Sequence, residues 1–368
     1  MKGYYLKKVL SSLLVLFLII TLNFFLPRMI FTDPAQPYFV GVPEDAFALR
    51  EQIREEYGFN DPIWSQYTAY LRRIVTLDLG QSHYYKESVW KVMFSRIPWS
   101  MVLTVSSMLF SVLLGILLGV AAGRHRGCKV DTMLLNLSGI STAIPSFWLA
   151  MVAVMLLGFS LKLFPYRGAM TAGYTLSMNG SLFSALLTGG IVLSFLLKTI
   201  TKHSRYLFGG IPLSLMAALL ASVPLADLTD VAYHAILPVM ISVSSGSVSY
   251  GLLVRNSMIA VTGEDYILTA RAKGLPAGVV LYQHTFRNAL LPLITNVGLS
   301  MAGLLGGSVL MEKIFSWPGM GQLLLEACNT GDYLLSQAIL LLFAAITVVC
   351  NFLTDLVYHK FDPRIKEV

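Results

Sequence analysis

The chain has 368 residues, of which 55% are hydrophobic and only 13% are charged. A soluble globular domain carries about 25% charged residues, so this composition excludes a protein whose surface faces only water. The formal net charge is +7, but the basic residues lie in short segments between apolar runs and form no stripe with aromatic residues. The positive charge therefore does not indicate a nucleic-acid partner.

Long apolar runs follow one another along the chain. A helix needs roughly 20 apolar residues to cross a bilayer, and continuous runs exclude the short alternating strands of a membrane barrel. We therefore predict an all-α polytopic membrane protein with about eight transmembrane helices. The predicted spans are 9–31, 100–123, 132–159, 181–197, 206–225, 233–254, 289–311 and 336–358.

Lysine and arginine predict the orientation, because short cytoplasmic loops are enriched in both residues. With the N-terminus inside, sixteen of the 27 basic residues fall on the inner side and eleven on the outer side. We predict a protein of the cytoplasmic membrane with both termini in the cytoplasm. No small-residue cleavage site follows the first span, so we expect that span to be retained.

This topology divides the chain into four parts. Residues 1–31 form the N-terminus and the first helix, and the longest polar stretch, 32–99, lies outside the membrane. That stretch is too thinly apolar for a large core, so we expect a small extracytoplasmic cap on the rim of the helices. Residues 100–358 form the transmembrane domain, and 359–368 form a cytoplasmic tail.

Two predicted spans carry local signals. Gly115, Gly119 and Gly123 are four residues apart on one face of the second span. Such spacing allows close helix packing, either within the chain or at a contact with another subunit. Pro145 interrupts the third span, so we expect a kink there. The kink suits a helix that lines a path, or simply an irregular packing position.

Residues 176–230 form a predicted inserted hairpin with a basic tip between Lys198 and Arg205. An inward tip would leave the remaining topology unchanged. The alternative is that both arms lie in the membrane interface.

The sequence lacks the usual marks of ion coupling and catalysis. No predicted span has an acidic or basic residue near its middle, which argues against an ion-driven transporter. No Gly-x-x-x-x-Gly-Lys-Ser/Thr loop or hydrolase motif is present. The cysteines and histidines show no metal-ligand spacing. We predict a non-enzymatic chain with no metal or cofactor of its own.

The polar segment between Gly263 and Pro292 separates two apolar runs and carries Arg271, Lys273 and Arg287. From the residues alone, this segment either docks a partner outside the bilayer or lies on anionic lipid.

The same segment predicts two short helices. The first runs over 266–273, a turn follows at 274–276, and the second helix extends to about Phe286. Glycine favours a left-handed helix end and proline favours the first turn of the next helix. Small side chains at Ala270 and Ala272 are expected to leave room for a partner surface.

Ordered motifs along nearly the whole chain resemble the permeases of binding-protein-dependent ABC importers. The polar segment resembles their "EAA" loop through 269–274 and 287–292, with Leu268 and Thr269 in place of the generic acidic residue. The branch that it resembles most is the oligopeptide, dipeptide and nickel branch. The other similar motifs are 5–9, 33–34, 57–64, 77–80, 144–148, 315–321 and 362–365.

The resemblance implies a type I importer permease fold with six family helices, to which the hairpin is added. It implies that residues 255–288 form a cytoplasmic coupling loop that sits in a cleft of an ATPase subunit. The residues implied at this contact are Thr269, Ala270, Arg271, Ala272, Lys273, Gly274, Leu275 and Pro276.

The implied partners are a second homologous permease, two subunits that bind ATP and Mg, an extracytoplasmic substrate-binding protein and membrane lipid. The implied function is a pore-forming subunit of an ATP-driven importer for peptides or similar small solutes. The alternative is a membrane channel or scaffold without ATPase partners. Peptides, nickel or a metallophore, opines and sugars all stay open as substrates.

Four residues near the end of the chain are candidates for contact with the binding protein. They are Glu312, Trp317, Glu326 and Asp332. The alternative is that these acids belong to a solvated loop.

Overall fold

The computed structural model describes residues 2–30, 47–56, 58, 60–171, 225–303, 306 and 309–361. Over these ranges the chain is helical, apart from turns and one isolated β-bridge between Gln81 and Ser88. Both arms of the predicted hairpin, 181–197 and 206–225, lie outside these ranges except for the last residue, Leu225.

The helices are, in chain order, α1 (Lys2–Ile30), α2 (Phe47–Glu56), α3 (Ile63–Val75), α4 (Val89–Arg124), α5 (Lys129–Ala143), α6 (Ser146–Ala153), α7 (Leu225–Thr262), α8 (Asp265–Ala272), α9 (Ala277–Val279), α10 (Arg287–Ala289), α11 (Leu291–Ser300), α12 (Val309–Ile314), α13 (Met320–Asn329) and α14 (Tyr333–Phe361). Two π-helical segments, Val154–Ser160 and Val280–Phe286, and a 3₁₀ turn, Met301–Gly303, complete them.

Four of these helices are long and apolar enough to cross a membrane, and the bent pair of α5 and α6 raises the number to five if it counts as one span. The long spans are Lys7–Phe25, Val89–Arg124, Thr229–Thr262 and Tyr333–Thr354. Of the predicted span 289–311, the described part is α11, the 3₁₀ turn and the start of α12. The predicted number of eight helices therefore stays a prediction.

The third predicted span bends at Pro145, as predicted, and the bend is sharper than a kink. Instead of one kinked rod over 132–159, α5 and α6 meet at 91°. Ile144 adopts an extended conformation, with φ −103° and ψ 115°, because the ring of Pro145 excludes the helical conformation from the residue before it. The chain therefore forms two arms at a right angle.

The described residues divide into two compact units. The first unit combines 1–96, 298–306 and 320–368. In it α1 and α13 pack against α14. Asn23 donates to the carbonyl of Gln337 at 2.8 Å, and the Gln337 amide donates back to the carbonyl of Asn23 at 3.1 Å. This reciprocal pair gives a partner to the NH2 group of each amide, which is buried between apolar helices.

Helix α3, within the polar stretch that precedes α4, packs on the end of α1 in this unit. The α3 residue Tyr67 is buried against Phe24, with ring centroids 5.2 Å apart. Its hydroxyl hydrogen-bonds Thr21 at 2.8 Å. Aromatic side chains therefore attach α3 to the apolar helix.

The second unit combines 97–297 and 307–319 and is built around α7. Helices α5, α6 and α10 contact α7. The glycines of α4 face it as well: a Cβ at Gly119 would lie 2.6 Å from the carbonyl oxygen of Gly251, and one at Gly123 would lie 3.0 Å from the Cβ of Met258. A Cβ at Gly115 would lie 2.6 Å from the Cβ of Tyr250. The structure thus places the glycine stripe in a helix contact within this chain.

Candidate functional site

A short helical segment follows the long helix α7, and we call residues 263–289 the elbow. Helix α7 continues through Arg255 and ends at Thr262. The elbow is therefore shorter than the predicted loop 255–288, and Arg255 lies inside a helix.

The elbow turns at Gly274, which has φ +72°. The backbone N–H of Gly274 donates to Arg271 at 2.9 Å, and that of Leu275 donates to Ala270 at 3.4 Å. These bonds close the end of α8 in the manner of a left-handed helix cap. The next turn starts immediately, because the carbonyl of Pro276 accepts the N–H of Val279 at 2.9 Å.

The base of the elbow is a small apolar core. Ile267, Ala270 and Val280 are buried there, and Val261 at the end of α7 packs against them. On the second half of the elbow, the Asn288 amide donates to the hydroxyl of Tyr266 at 3.0 Å. The two halves of the elbow are thus fastened to each other by packing and by a hydrogen bond.

The tip of the elbow is a continuous exposed surface over residues 271–278. Of the predicted contact residues, Thr269 and all of 271–276 are exposed. Ala270 differs from expectation. It is buried, because its small side chain lets α8 approach Val280, and so it cannot leave room for a partner.

The exposed tip combines cationic and apolar side chains. Arg271 and Lys273 are exposed beside Leu275, and Arg287 is exposed on the return segment. Guanidinium and ammonium groups bind carboxylates, and an exposed leucine adds apolar contact. This arrangement is suited to binding another surface.

The predicted binding-protein residues Glu312 and Trp317 differ from expectation, because both are fully buried in the second unit. Ser100 donates to the Glu312 carboxylate at 2.7 Å, and the indole N–H of Trp317 donates to the carbonyl of Trp99 at 2.8 Å. The rings of Trp99 and Trp317 meet edge to face. Neither residue therefore faces solvent or a partner.

Asp332 is also fully buried, in the first unit. Its carboxylate accepts hydrogen bonds from the hydroxyl of Ser82, from the backbone N–H of Tyr84 at 3.1 Å and from that of Leu335 at 3.1 Å. The carboxylate thus connects the 82–84 turn to the start of α14, which explains why it is not solvated.

Glu326 keeps partial exposure, with 33% of its side chain accessible. The hydroxyl of Tyr85 donates to it at 2.7 Å. Burial and the neighbouring Glu326 carboxylate raise the pKa of Tyr85 to about 12. The hydroxyl therefore stays protonated at neutral pH and remains a donor to Glu326.

Comparison with known families decides the identity of the chain. Residues 115–367 match the "Binding-protein-dependent transport system inner membrane component" family, and residues 1–104 match the N-terminal region of such membrane components.

The chain belongs to the binding-protein-dependent ABC importer permeases. Its relatives place it in the peptide and dipeptide family. It is 30% identical to the oligopeptide transport system permease protein AppB of Bacillus subtilis, over the full length of both chains. It is 31% identical to the di/tripeptide permease DppB of Pseudomonas aeruginosa, covering 94% of this chain and 93% of that one. It is 32% identical to the dipeptide permease DppB of Escherichia coli K12, covering 86% and 84%.

One feature of the permease was missed in the sequence. Asp131 at the start of α5 is buried and forms an ion pair with Arg255 of α7, with 2.7 Å between the closest atoms. Asp131 follows a basic turn, and no hydrophobic pattern around it indicates burial. Its partner is 124 positions away in the sequence. Within the described ranges, no three His, Cys, Asp or Glu side chains gather as a metal site.

The buried tryptophan of the permease gives a first test. Replacing Trp317 with phenylalanine keeps an aromatic ring but leaves the Trp99 carbonyl without its indole donor. We expect the folded permease to lose about 1–3 kcal/mol of stability. The measurement is the thermal denaturation midpoint of the purified permease in detergent. Trp64, whose side chain is 68% exposed, provides the matched control, and an equal loss for Trp64→Phe would contradict the assignment.

Proposed function

We propose that the permease is a pore-forming subunit of an ATP-driven importer and that the elbow is its contact with partner ATPases. In this proposal a second permease subunit completes the pore, and an extracytoplasmic binding protein delivers the solute. The basic residues of the elbow and of the turn after α4 support a cytoplasmic position for both, by the positive-inside rule.

The observation that carries the proposal is the contrast between the tip and the base of the elbow. Residues 271–278 are all exposed, whereas Ile267, Ala270 and Val280 are buried beneath them. An exposed tip on a packed base moves as one body when a partner pushes on it. A segment that merely lay on lipid would need no such internal core.

The energy must come from the partners, because this chain has no nucleotide-binding loop. ATP binding would draw the two ATPase subunits together and displace the elbow. The permease would then pass between inward-open and outward-open states, and nucleotide would shift the balance between them. The exchange between these states is the alternating access by which the solute crosses.

The substrate that we propose is a short peptide or a similar small solute. The support is that the relatives described above are named as oligopeptide, di/tripeptide and dipeptide permeases. The partner binding protein would set the choice among peptides.

Purification of the permease from its native membrane tests the proposal. We expect a second permease and ATP-binding subunits to co-purify in fixed ratio in mild detergent. Reconstituted with the binding protein, the complex should take up a labelled dipeptide only when ATP is present. Recovery of the chain without any ATP-binding subunit would favour a channel or scaffold instead.

A further inference from the structure

The start of α5 is joined to α7, about two turns before the elbow, by a buried ion pair with two hydrogen bonds. One oxygen of the Asp131 carboxylate accepts Nε of Arg255 at 2.7 Å, and the other accepts Nη2 at 3.1 Å. The backbone N–H of Gly127 donates to the second oxygen at 2.7 Å. Asp131 is 2% exposed and the Arg255 side chain is 13% exposed. The carboxylate therefore has donors on both oxygens.

Packing continues from this pair to the elbow. Val254 and Met258, on either side of Arg255 in α7, form one buried cluster with Ala289 at the end of the elbow. One turn further on, Val261 packs on the core of the elbow. The elbow, the end of α7 and the start of α5 are thus linked by contacts within a single unit.

The ion pair fixes the relative orientation of the Asp131 and Arg255 side chains as well as the distance between them. An arginine fork that binds both oxygens of a carboxylate sets the relative orientation of the two side chains. Apolar contacts such as that of Gly123 with Met258 can slide by comparison, because dispersion is not directional. The start of α5 therefore cannot rotate freely against α7 while the pair is intact.

We propose that Asp131 and Arg255 are positioning residues that make α5 move together with the elbow. Because α5 is the first arm of the right-angle pair, displacement of the elbow would reach that arm directly. This inference rests on the proposed function, since it requires partners that displace the elbow. It names the two residues that transmit the displacement from α7 to α5.

The test uses the complete complex in liposomes with the binding protein and a dipeptide. ATP hydrolysis per assembled complex is measured with and without the binding protein, for Asp131→Asn, Arg255→Gln, both changes together, and Arg255→Lys. We expect the stimulated-to-basal ratio to fall about tenfold in each single variant, within the usual range of coupling between sites. The double variant should be no worse than either single variant, because the two residues act as one pair.

Two variants serve as controls. Arg255→Lys keeps the charge but loses the fork, so we expect an intermediate ratio in a chain that still folds. Lys129→Gln, which removes an exposed charge from the same turn of α5, should keep the wild-type ratio.

An unchanged ratio in assembled Asp131→Asn and Arg255→Gln complexes would overturn the inference. So would a loss of complex with a normal ratio per remaining complex, because the pair would then serve folding alone. A wild-type permease that recruits no ATP-binding subunit would instead overturn the proposed function.

Discussion

Replacing Gly119 with alanine should destabilise the permease more than the same change at Gly123 or Gly139. A Cβ at Gly119 would lie 2.6 Å from the backbone oxygen of Gly251 and 2.6 Å from the Cβ of Val254. Neither atom can move unless α4 and α7 separate. Overpacking of a rigid contact costs about 1–3 kcal/mol, occasionally more, and we expect Gly119→Ala at the upper end of that range.

The other two glycines are matched controls on the same substitution. At Gly123 the nearest atom would be the Cβ of Met258 at 3.0 Å, and at Gly139 no atom lies within 4 Å. We expect a smaller loss at Gly123, and at Gly139 no loss or a gain of up to about 1 kcal/mol from the better helix propensity of alanine. Thermal denaturation of the purified permease in detergent measures all three. Equal midpoints for the three variants would contradict the close approach of α4 and α7.

A tryptophan at Ala272 should abolish transport without affecting insertion or folding. Ala272 is exposed at the tip of the elbow, so a large side chain there can extend into solvent but would obstruct a fitted partner. Loss of a central contact of this kind weakens binding by about 30-fold or more. We expect the variant to reach the membrane in wild-type amount while co-purification of the ATP-binding subunits and peptide uptake fall together.

The controls separate the effect of side-chain size from the effect of backbone conformation. His125→Trp adds the same side chain at an exposed position outside the elbow and should transport normally. Gly274→Asn adds a side chain that tolerates the left-handed conformation, whereas Gly274→Val does not and costs about 1–2 kcal/mol. Normal uptake by Ala272→Trp would refute the coupling role of the elbow.

Local chemistry explains why the elbow could be predicted from the sequence. Its helix–turn–helix form depends on Gly274 and Pro276, whose backbone preferences act within a few residues. Apolar length likewise predicted the helices α1, α4, α7 and α14, because a bilayer sets the same length for every span. The structure adds the orientation of each side chain, which turned Ala270 inward and left Ala272 at the surface.

The buried acids show where sequence reasoning failed. Glu312 and Asp332 follow apolar segments and resemble residues of a solvated loop. Each can be buried because a serine hydroxyl from a distant part of the chain donates a hydrogen bond to its carboxylate. Ser100 donates to Glu312 and Ser82 donates to Asp332. Burial of a carboxylate depends on such donors, and their positions are 212 and 250 residues away in sequence.

The sequence by itself determined that this chain is helical, lies in a membrane and carries a polar elbow between apolar runs. These properties follow from composition and from turn residues that act locally. Only the tertiary structure decided the partner of the glycine stripe and the pairing of Asp131 with Arg255. Each of those depends on which distant segments come together, and hydrophobicity along one helix contains no information about its neighbour.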